Sequence, residues 1–155
     1  MGVRIEIDGV LPAQCGISRE TLARAAAFFA SRSEKRARLG PWREVAVHLV
    51  GDGESARINS VIMGHEGPTD VITQRYDSIP GEPQGLSGEL YVNAKCALRE
   101  GPKRPRWSAA LELLLYVAHG IDHLSGADDA TEAEYRAMRR RELSWISAAR
   151  RKGIA

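Results

Sequence analysis

The feature of this sequence that most restricts its fold is an apolar stripe with helical spacing in the last third of the chain. From Trp107 onward the stripe consists of Leu111, Leu114, Leu115 and Ala118. Side chains three and four residues apart share one helix face, so this spacing predicts a helix that packs against a core. A neighbouring stripe of the same helix is formed by Glu112, Tyr116, His119 and His123. The helix should end at Gly126, because glycine readily takes the left-handed conformation that terminates helices.

The first two thirds of the chain carry the patterns of both strands and helices. Strand-like runs occupy residues 3–8, 44–50, 69–76 and 88–93. A loop rich in glycine and proline separates the last two of these runs. A helix is predicted from Ser18, a suitable N-cap, to Gly40, and a shorter helix is predicted over residues 54–64.

A final helix is predicted from the capping box that Thr131 and Glu134 can form. The apolar residues of this helix that should face the core are Tyr135, Met138, Leu143 and Ile146. The chain thus runs strand, helix, strand, helix, two strands and then helices. This order predicts an α+β fold with a single domain over residues 1–155, in which helices cover a small mixed sheet.

Composition agrees with a globular domain that needs no disulfide. A chain of 155 residues with 43% hydrophobic residues can bury about two thirds of its unfolded surface. Cys15 and Cys96 lie far apart and outside any CxxC pair, so both are expected to be ordinary thiols. The sequence contains neither a membrane-length apolar run nor a secretory pattern in its first residues, and we expect a cytoplasmic protein without a membrane partner.

The formal net charge of +2 does not by itself identify a nucleic-acid-binding protein. Basic residues nevertheless cluster at 103–106, 139–141 and 150–152. Each cluster taken alone is explained well enough by a solvated helix face or a chain end.

The pattern H-x-x-x-H-x-x-G-x-x-D in residues 119–129 indicates a metal site. Histidines four residues apart lie one turn apart on a helix, so His119 and His123 can direct both imidazoles at one point. A turn at Gly126 can bring back Asp128 or Asp129 as a third ligand. The alternative, two histidines on a polar helix face followed by two loop acids, explains these residues about equally well.

The residue between the histidines argues against a peptidase. Zinc proteases of the H-E-x-x-H type carry their general base directly after the first histidine, where this chain has Gly120. Asp122 is the acid between the two histidines. It is expected either to hydrogen-bond a ligand or solvent, or to be a solvated acid near the helix end.

Residues 119–129 resemble the signature H-G-x-L-H-L-x-G-Y-D-H of the YbeY family of bacterial rRNA maturation factors. Residues 67–74, GPTDVITQ, resemble the P-T-D-V-L-S-F strand of that family, and Ile58-Asn59 precedes them where the family has L-N. Residues 87–93 stand where the family has a G-D-I strand, and Met138 with Glu142 matches its M-x-x-x-E helix. These similarities occur in order between residues 44 and 146.

The resemblance implies a metallohydrolase domain with one divalent ion, expected to be zinc, on the histidine helix and the loop after it. Spacing and alignment together select His119, His123 and Asp129 as ligands, with Asp128 making hydrogen bonds that hold the loop. The implied activity is metal-dependent endoribonuclease cleavage of single-stranded RNA in rRNA maturation and ribosome quality control. The implied partners are an rRNA precursor and the ribosome. The sequence leaves open the catalytic residues, the exact RNA substrate and the oligomeric state.

The chain departs from the family pattern at four positions. Asp129 replaces the third histidine, Asp122 a leucine, Ala127 an aromatic residue, and Met63 an arginine. RNA cleavage needs a cation to stabilise charge on phosphate.

The candidate substrate-binding residues that could supply this charge are His65, Arg75, Lys103 and Arg104. Thr69 and Asp70 are expected to cap and position the backbone, with direct contact to the substrate as the alternative. The alternative function is a non-catalytic module that binds RNA or the ribosome and keeps a retained or degenerate metal site.

Overall fold

Strands of one mixed sheet form the centre of the computed structural model, which describes residues 2–38, 40–78, 80–81 and 85–155. The strands are β1 (Arg4–Gly9), β2 (Trp42–Val50), β3 (Val71–Tyr76) and β4 (Leu86–Asn93). Their order across the sheet is β1-β2-β4-β3. β1 and β4 run parallel to β2, whereas β3 runs antiparallel to β4. The predicted small mixed sheet is therefore confirmed.

The helices in the described part of the chain are α1 (Arg19–Ala37), α2 (Asp52–Ile58), α3 (Ala94–Glu100), α4 (Ala109–Leu124) and α5 (Glu132–Arg151). The predicted cap at Ser18 is confirmed, because its hydroxyl oxygen accepts a hydrogen bond from the Thr21 amide at 3.1 Å. α2 continues as a π-helical turn over Asn59–Met63, which ends at Gly64 in the left-handed conformation. The capping box of Thr131 and Glu134 is present at the start of α5.

α4 is the central helix of the domain, and it packs against α1, α5, β3 and β4. Leu114, Leu115 and Ala118 are buried as predicted. Gly120 faces the sheet, where a Cβ atom would lie 2.7 Å from Leu90 Cδ2 and 3.2 Å from Val71 Cγ2. The absence of a side chain at position 120 thus allows α4 to lie close to β3 and β4.

Of the four apolar residues of α5 that were predicted to face the core, two are buried. Met138 and Ile146 are buried, but Tyr135 is 44% exposed and Leu143 is 40% exposed. Leu143 lies about 140° around the helix from Met138, outside the core-facing stripe. Tyr135 belongs to the first turn of α5, where the Arg139 guanidinium lies over its ring, 5.4 Å from the centroid.

The helices and the cysteines also bear on the predictions about membrane association and disulfides. Within the described residues, no helix combines the length and apolar character needed to cross a membrane. Cys15 and Cys96 are both free thiols, as expected.

Candidate metal centre

The two histidines of α4 meet at their Nε2 atoms. His119 and His123 lie one turn apart on the helix, and their Nε2 atoms are 3.1 Å apart. The two rings are nearly perpendicular, with an interplanar angle of 81° and a centroid separation of 4.5 Å. Both imidazoles therefore direct one nitrogen at a common point, as the spacing predicts.

Asp129 brings a third donor atom to the same point. Its Oδ2 lies 3.3 Å from His123 Nε2 and 3.7 Å from His119 Nε2. Gly126, with φ of 97°, turns the chain back after α4. The Asp128 carboxylate accepts a hydrogen bond from the Asp129 amide at 2.8 Å, which confirms its predicted role in the loop. The turn and this local hydrogen bond thus direct Asp129, and not Asp128, towards the histidines.

Hydrogen bonds fix which nitrogen of each imidazole is available. His123 Nδ1 donates to the Ala127 carbonyl oxygen at 3.1 Å, and a carbonyl can only accept, so the proton of a neutral His123 is on Nδ1. His119 Nδ1 donates to Glu142 Oε2 at 2.8 Å. Each Nε2 atom therefore presents a lone pair to the common point, next to a carboxylate oxygen.

Burial and the hydrogen bond between His119 and Glu142 act in opposite directions on the pKa of each group. Burial lowers the pKa of His119, but the hydrogen bond and negative charge of Glu142, with help from Asp70, raise it above its usual value overall. Burial raises the pKa of the Glu142 carboxyl against the opposing effect of His119. The hydrogen bond from Nδ1 to Oε2 keeps the His119 ring in one orientation.

The donor set fits a small divalent cation. Three acceptor atoms that face one another repel unless a positive charge lies between them. Ligand distances of about 2.0–2.2 Å in a tetrahedral site correspond to donor–donor separations of about 3.3–3.6 Å. The separations of 3.1, 3.3 and 3.7 Å lie close to this range. His119, His123 and Asp129 are therefore arranged as a group that could hold a metal ion.

The donor group lies in a cleft of about 310 Å³. Met63 and His65 line this cleft, so the position of the family arginine faces the donor group and His65 lies near it. Arg75 is outside the lining of this cleft among the described residues. Its Nη1 donates to the Leu124 carbonyl oxygen at 3.3 Å, and its Nε lies 3.5 Å from Asp77.

Thr69 and Asp70 position the backbone at the start of β3, as expected. The Thr69 carbonyl oxygen accepts hydrogen bonds from Ser55 Oγ at 3.0 Å and from Asn93 Nδ2 at 3.2 Å. Asp70 Oδ1 accepts a hydrogen bond from the Val71 amide at 2.8 Å. Both residues also line the cleft of the donor group.

Lys103 and Arg104 lie outside the cleft of the donor group. They line a second cleft of about 560 Å³, which shares Thr69 and Asp70 with the first. The structure thus brings His65 into the cleft of the donor group, places Lys103 and Arg104 in the adjoining one, and leaves Arg75 beside Leu124.

Both expectations for Asp122 are wrong. Its side chain is fully buried and forms ion pairs with arginines from two other helices. Arg141 Nε lies 3.0 Å from Oδ1 and 3.1 Å from Oδ2, and Arg36 Nε lies 3.7 Å from Oδ1. The acid is therefore neither solvated nor directed at the candidate metal centre, and it instead joins α4 to α1 and α5.

Glu142 and Arg139 belong to the site region but were not identified from the sequence as site residues. Met138, Glu142 and Ile146 are spaced by four, and all three are buried. An acid within a core-facing stripe signals a buried partner, here His119. This signal could have identified Glu142. Arg139 could not have been identified in this way, because the sequence does not distinguish it from the neighbouring arginines at 140 and 141.

The fold and the donor group place this protein in the class of α+β domains that carry a candidate metal centre on a central helix. A family model described as Endoribonuclease YbeY matches residues 13–149. The chain belongs to the YbeY family.

Curated relatives named Endoribonuclease YbeY are similar over most of the chain. The Methylococcus capsulatus protein is 34% identical over 109 residues, which cover 67% of this chain and 69% of the relative. The Rhodopirellula baltica protein is 37% identical over 102 residues, which cover 64% of this chain but only 50% of the relative. The Thermobifida fusca protein is 31% identical over 144 residues, covering 89% and 87% of the two chains.

A solved structure shares the fold. The solution structure of a Thermotoga maritima protein matches 97% of this chain and 93% of its own, with a TM-score of 0.57 and 22% sequence identity. At this identity the match concerns the α+β architecture alone.

Proposed function

We propose that this chain is a metal-dependent endoribonuclease that cleaves single-stranded RNA in rRNA maturation and ribosome quality control. The observation that carries the proposal is the convergence of two imidazole Nε2 atoms and Asp129 Oδ2 in one polar cleft. The names of the curated relatives support the same reaction class. An rRNA precursor is the proposed substrate, the ribosome is the proposed partner, and the cytoplasm is the proposed location, since rRNA is processed there.

His119, His123 and Asp129 are the proposed ligands, and zinc is the proposed ion. Two imidazoles and one carboxylate form a familiar ligand set of catalytic zinc sites, although the carboxylate also admits iron or manganese. A bound divalent ion supplies Lewis acidity there, which lowers the pKa of a water molecule and polarises a phosphate oxygen.

Neighbouring groups orient the two histidine ligands through hydrogen bonds. Glu142 and the Ala127 carbonyl oxygen hold the two Nδ1 protons, so both Nε2 atoms stay available. His65 lines the cleft, where its imidazole can donate a hydrogen bond to a phosphate oxygen. Glu142 and Ala127 thus orient the ligands, while His65 is the residue proposed to bind a phosphodiester.

A peptidase is not supported by the packing of α4. The position after His119 is Gly120, where a side chain would have to displace Leu90 and Val71. The residue after the first histidine therefore faces the sheet, and this chain has no glutamate base of the H-E-x-x-H type there.

The test is cleavage of a fluorescent single-stranded oligoribonucleotide with added zinc, with manganese and with EDTA. We expect metal-dependent cleavage by the parent protein and only background cleavage by His119→Ala. His48→Ala is the matched control, because His48 contacts Asp8 on β1 at 2.9 Å and is outside the cleft lining. Binding of metal and RNA by the parent without cleavage under any condition would favour the non-catalytic alternative.

Metal analysis provides an independent readout. Elemental analysis of the parent protein should give about one divalent ion per chain, and His119→Ala should give much less. A stoichiometry near zero, both as purified and after zinc is added, would contradict the proposed metal centre.

A further inference from the structure

The second cleft adjoins the candidate metal centre and contains arginines from two distant parts of the chain. It shares Thr69 and Asp70 with the cleft of the donor group. Arg104 follows the short 3-10 turn after α3, and Arg139 belongs to α5. Both residues line this second cleft. The fold therefore places two planar cations on a concave surface that continues from the donor group.

Each of these arginines lies beside a buried carboxylate that is already engaged elsewhere. Arg104 Nη2 is 3.5 Å from Glu112 Oε2, while Glu112 Oε1 accepts a hydrogen bond from Trp107 Nε1 at 2.8 Å. Arg139 Nε is 3.5 Å from Glu142 Oε1, while Glu142 Oε2 accepts one from His119 at 2.8 Å. A separation of 3.5 Å gives electrostatic attraction but not a good hydrogen bond. Both carboxylates thus position a guanidinium group without saturating its donors.

The Nε atom of Arg139 and the Oε1 atom of Glu142 are both buried and lack a hydrogen-bond partner among the described residues, and they lie 3.5 Å apart. Such donors are uncommon in folded proteins, because desolvation of the N–H group is not offset. The other two cations of this cleft are better paired. Arg99 contacts Asp52 at 2.7 and 3.0 Å, and Lys103 contacts Glu100 at 2.9 Å. Within the described residues, the side chains of Arg104 and Arg139 approach their carboxylates only at 3.5 Å, so their terminal nitrogen atoms keep donor capacity for a ligand.

The net charge of the second cleft matches the charge of one phosphodiester. Among the described residues, the charged side chains that line the cleft are four cations, Arg99, Lys103, Arg104 and Arg139, and three acids, Asp70, Glu100 and Glu112. The resulting net charge of plus one is neutralised by a single phosphodiester. Guanidinium groups bind phosphate oxygens through paired N–H donors, and this geometry is specific to arginine.

We propose that Arg104 and Arg139 form a phosphodiester-binding subsite that holds the RNA strand beside the phosphate at the candidate metal centre. The inference rests on the proposed function, because one strand must pass from the cleft of the donor group, along Thr69 and Asp70, into the second cleft. Arg139 then compensates for the uncharged Met63, which lines the first cleft. It is a substrate-positioning residue that acts on a neighbouring phosphate.

The inference is tested by binding to metal-free protein. A fluorescent 2′-O-methyl oligonucleotide, which resists cleavage, is titrated with EDTA-treated protein at several salt concentrations. Arg139→Gln should weaken binding about tenfold and reduce the log–log salt slope by about 0.7, the contribution of one phosphate contact on a single strand. Arg104→Gln should behave similarly, and Arg139→Lys should restore the slope but only part of the affinity.

The matched control is Arg140→Gln, which removes the same charge from the adjacent, exposed position of α5. This variant should keep nearly the parent affinity. Zinc stoichiometry should be unchanged in all of these variants, which excludes a general folding defect. A mononucleotide should bind much more weakly than the oligonucleotide, because it cannot span both clefts.

The possible outcomes separate the inference from the proposed function. Cleavage by the parent, together with equal effects of Arg139→Gln and Arg140→Gln, would overturn the inference alone. Binding that depends on Arg139 without cleavage under any metal condition would support the inference and overturn the proposed nuclease activity. A parent protein that does not bind the oligonucleotide, or a mononucleotide bound as tightly and with the same dependence on Arg139, would overturn the subsite.

Discussion

Glu142 on α5 accepts a hydrogen bond from His119 on α4 over 2.8 Å, and its side chain is completely buried. The same carboxylate lies 3.5 Å from Arg139 through its other oxygen. Glu142 therefore connects the candidate metal centre to the adjoining basic cleft. A change at Glu142 should affect both the histidine and the arginine that depend on it.

Replacement of Glu142 by glutamine should weaken metal binding while the shape of the side chain is kept. An amide oxygen accepts a hydrogen bond from His119 but brings no negative charge, so the Nε2 atom becomes a weaker donor to a cation. We expect the zinc affinity to fall by about 10- to 100-fold. Competition with a chromophoric chelator measures this change.

Glu132→Gln is the control for Glu142→Gln, because Glu132 lies on the same helix but is exposed and paired with Arg136. It should leave zinc affinity at the parent value. Equal affinities for the parent and Glu142→Gln would mean that Glu142 has no effect on the ligand to which it is bonded.

The two adjacent aspartates should differ sharply in their effect on metal binding. Asp129→Asn removes the charge of the carboxylate nearest both Nε2 atoms, so bound zinc should fall well below one ion per chain. Asp128→Asn keeps an oxygen that can accept from the Asp129 amide, so most of the metal binding should remain. Calorimetric titration with zinc distinguishes the two variants. A larger loss in Asp128→Asn would reverse the assignment.

The features that could be predicted from the sequence depend on residues close together along the chain. The cap at Ser18, the capping box at Thr131 and the convergence of His119 with His123 each involve residues within one helical turn. The sequence analysis does not predict α3, although a capping residue close in sequence marks where this helix begins. Asn93 ends β4 and also caps α3, where its side chain accepts a hydrogen bond from the Cys96 amide at 3.0 Å.

Features that depend on distant residues could not be predicted in this way. The burial of Asp122 requires Arg36 from α1 and Arg141 from α5. The association of Arg104 with Arg139 in one cleft likewise depends on how α5 packs beside α4. Sequence spacing identifies which residues share a helix face, but it does not identify the side chains that another element brings to that face.

Gly120 should tolerate a methyl group poorly. In Gly120→Ala the added Cβ would lie 2.7 Å from Leu90 Cδ2, and Leu90 is fully buried, so the core must shift. We expect a loss of about 1–3 kcal/mol in the free energy of unfolding, measured by urea denaturation. Gly53→Ala is the control, since a Cβ at this helical position meets no described atom within 4 Å. It should be neutral or stabilising by up to about 1 kcal/mol.

The ion pair between Asp122 and Arg141 should respond asymmetrically to the removal of either partner. Asp122 is fully buried, whereas the Arg141 side chain is 24% exposed. Arg141→Met leaves a buried carboxylate whose remaining cation among the described residues is the more distant Arg36, and we expect a loss of about 3 kcal/mol or more in the free energy of unfolding. Asp122→Leu removes the buried charge and leaves an arginine that can reach solvent, so it should be much less destabilising.

The double variant Asp122→Leu/Arg141→Met completes a thermodynamic cycle for this pair. It removes both charges, so its free energy of unfolding should lie near that of Asp122→Leu and well above that of Arg141→Met alone. Urea denaturation of the four proteins in the absence of metal measures the cycle. Additive effects of the two substitutions would show that Asp122 and Arg141 are not energetically coupled, and that the uncompensated buried charge is not the cause of the instability.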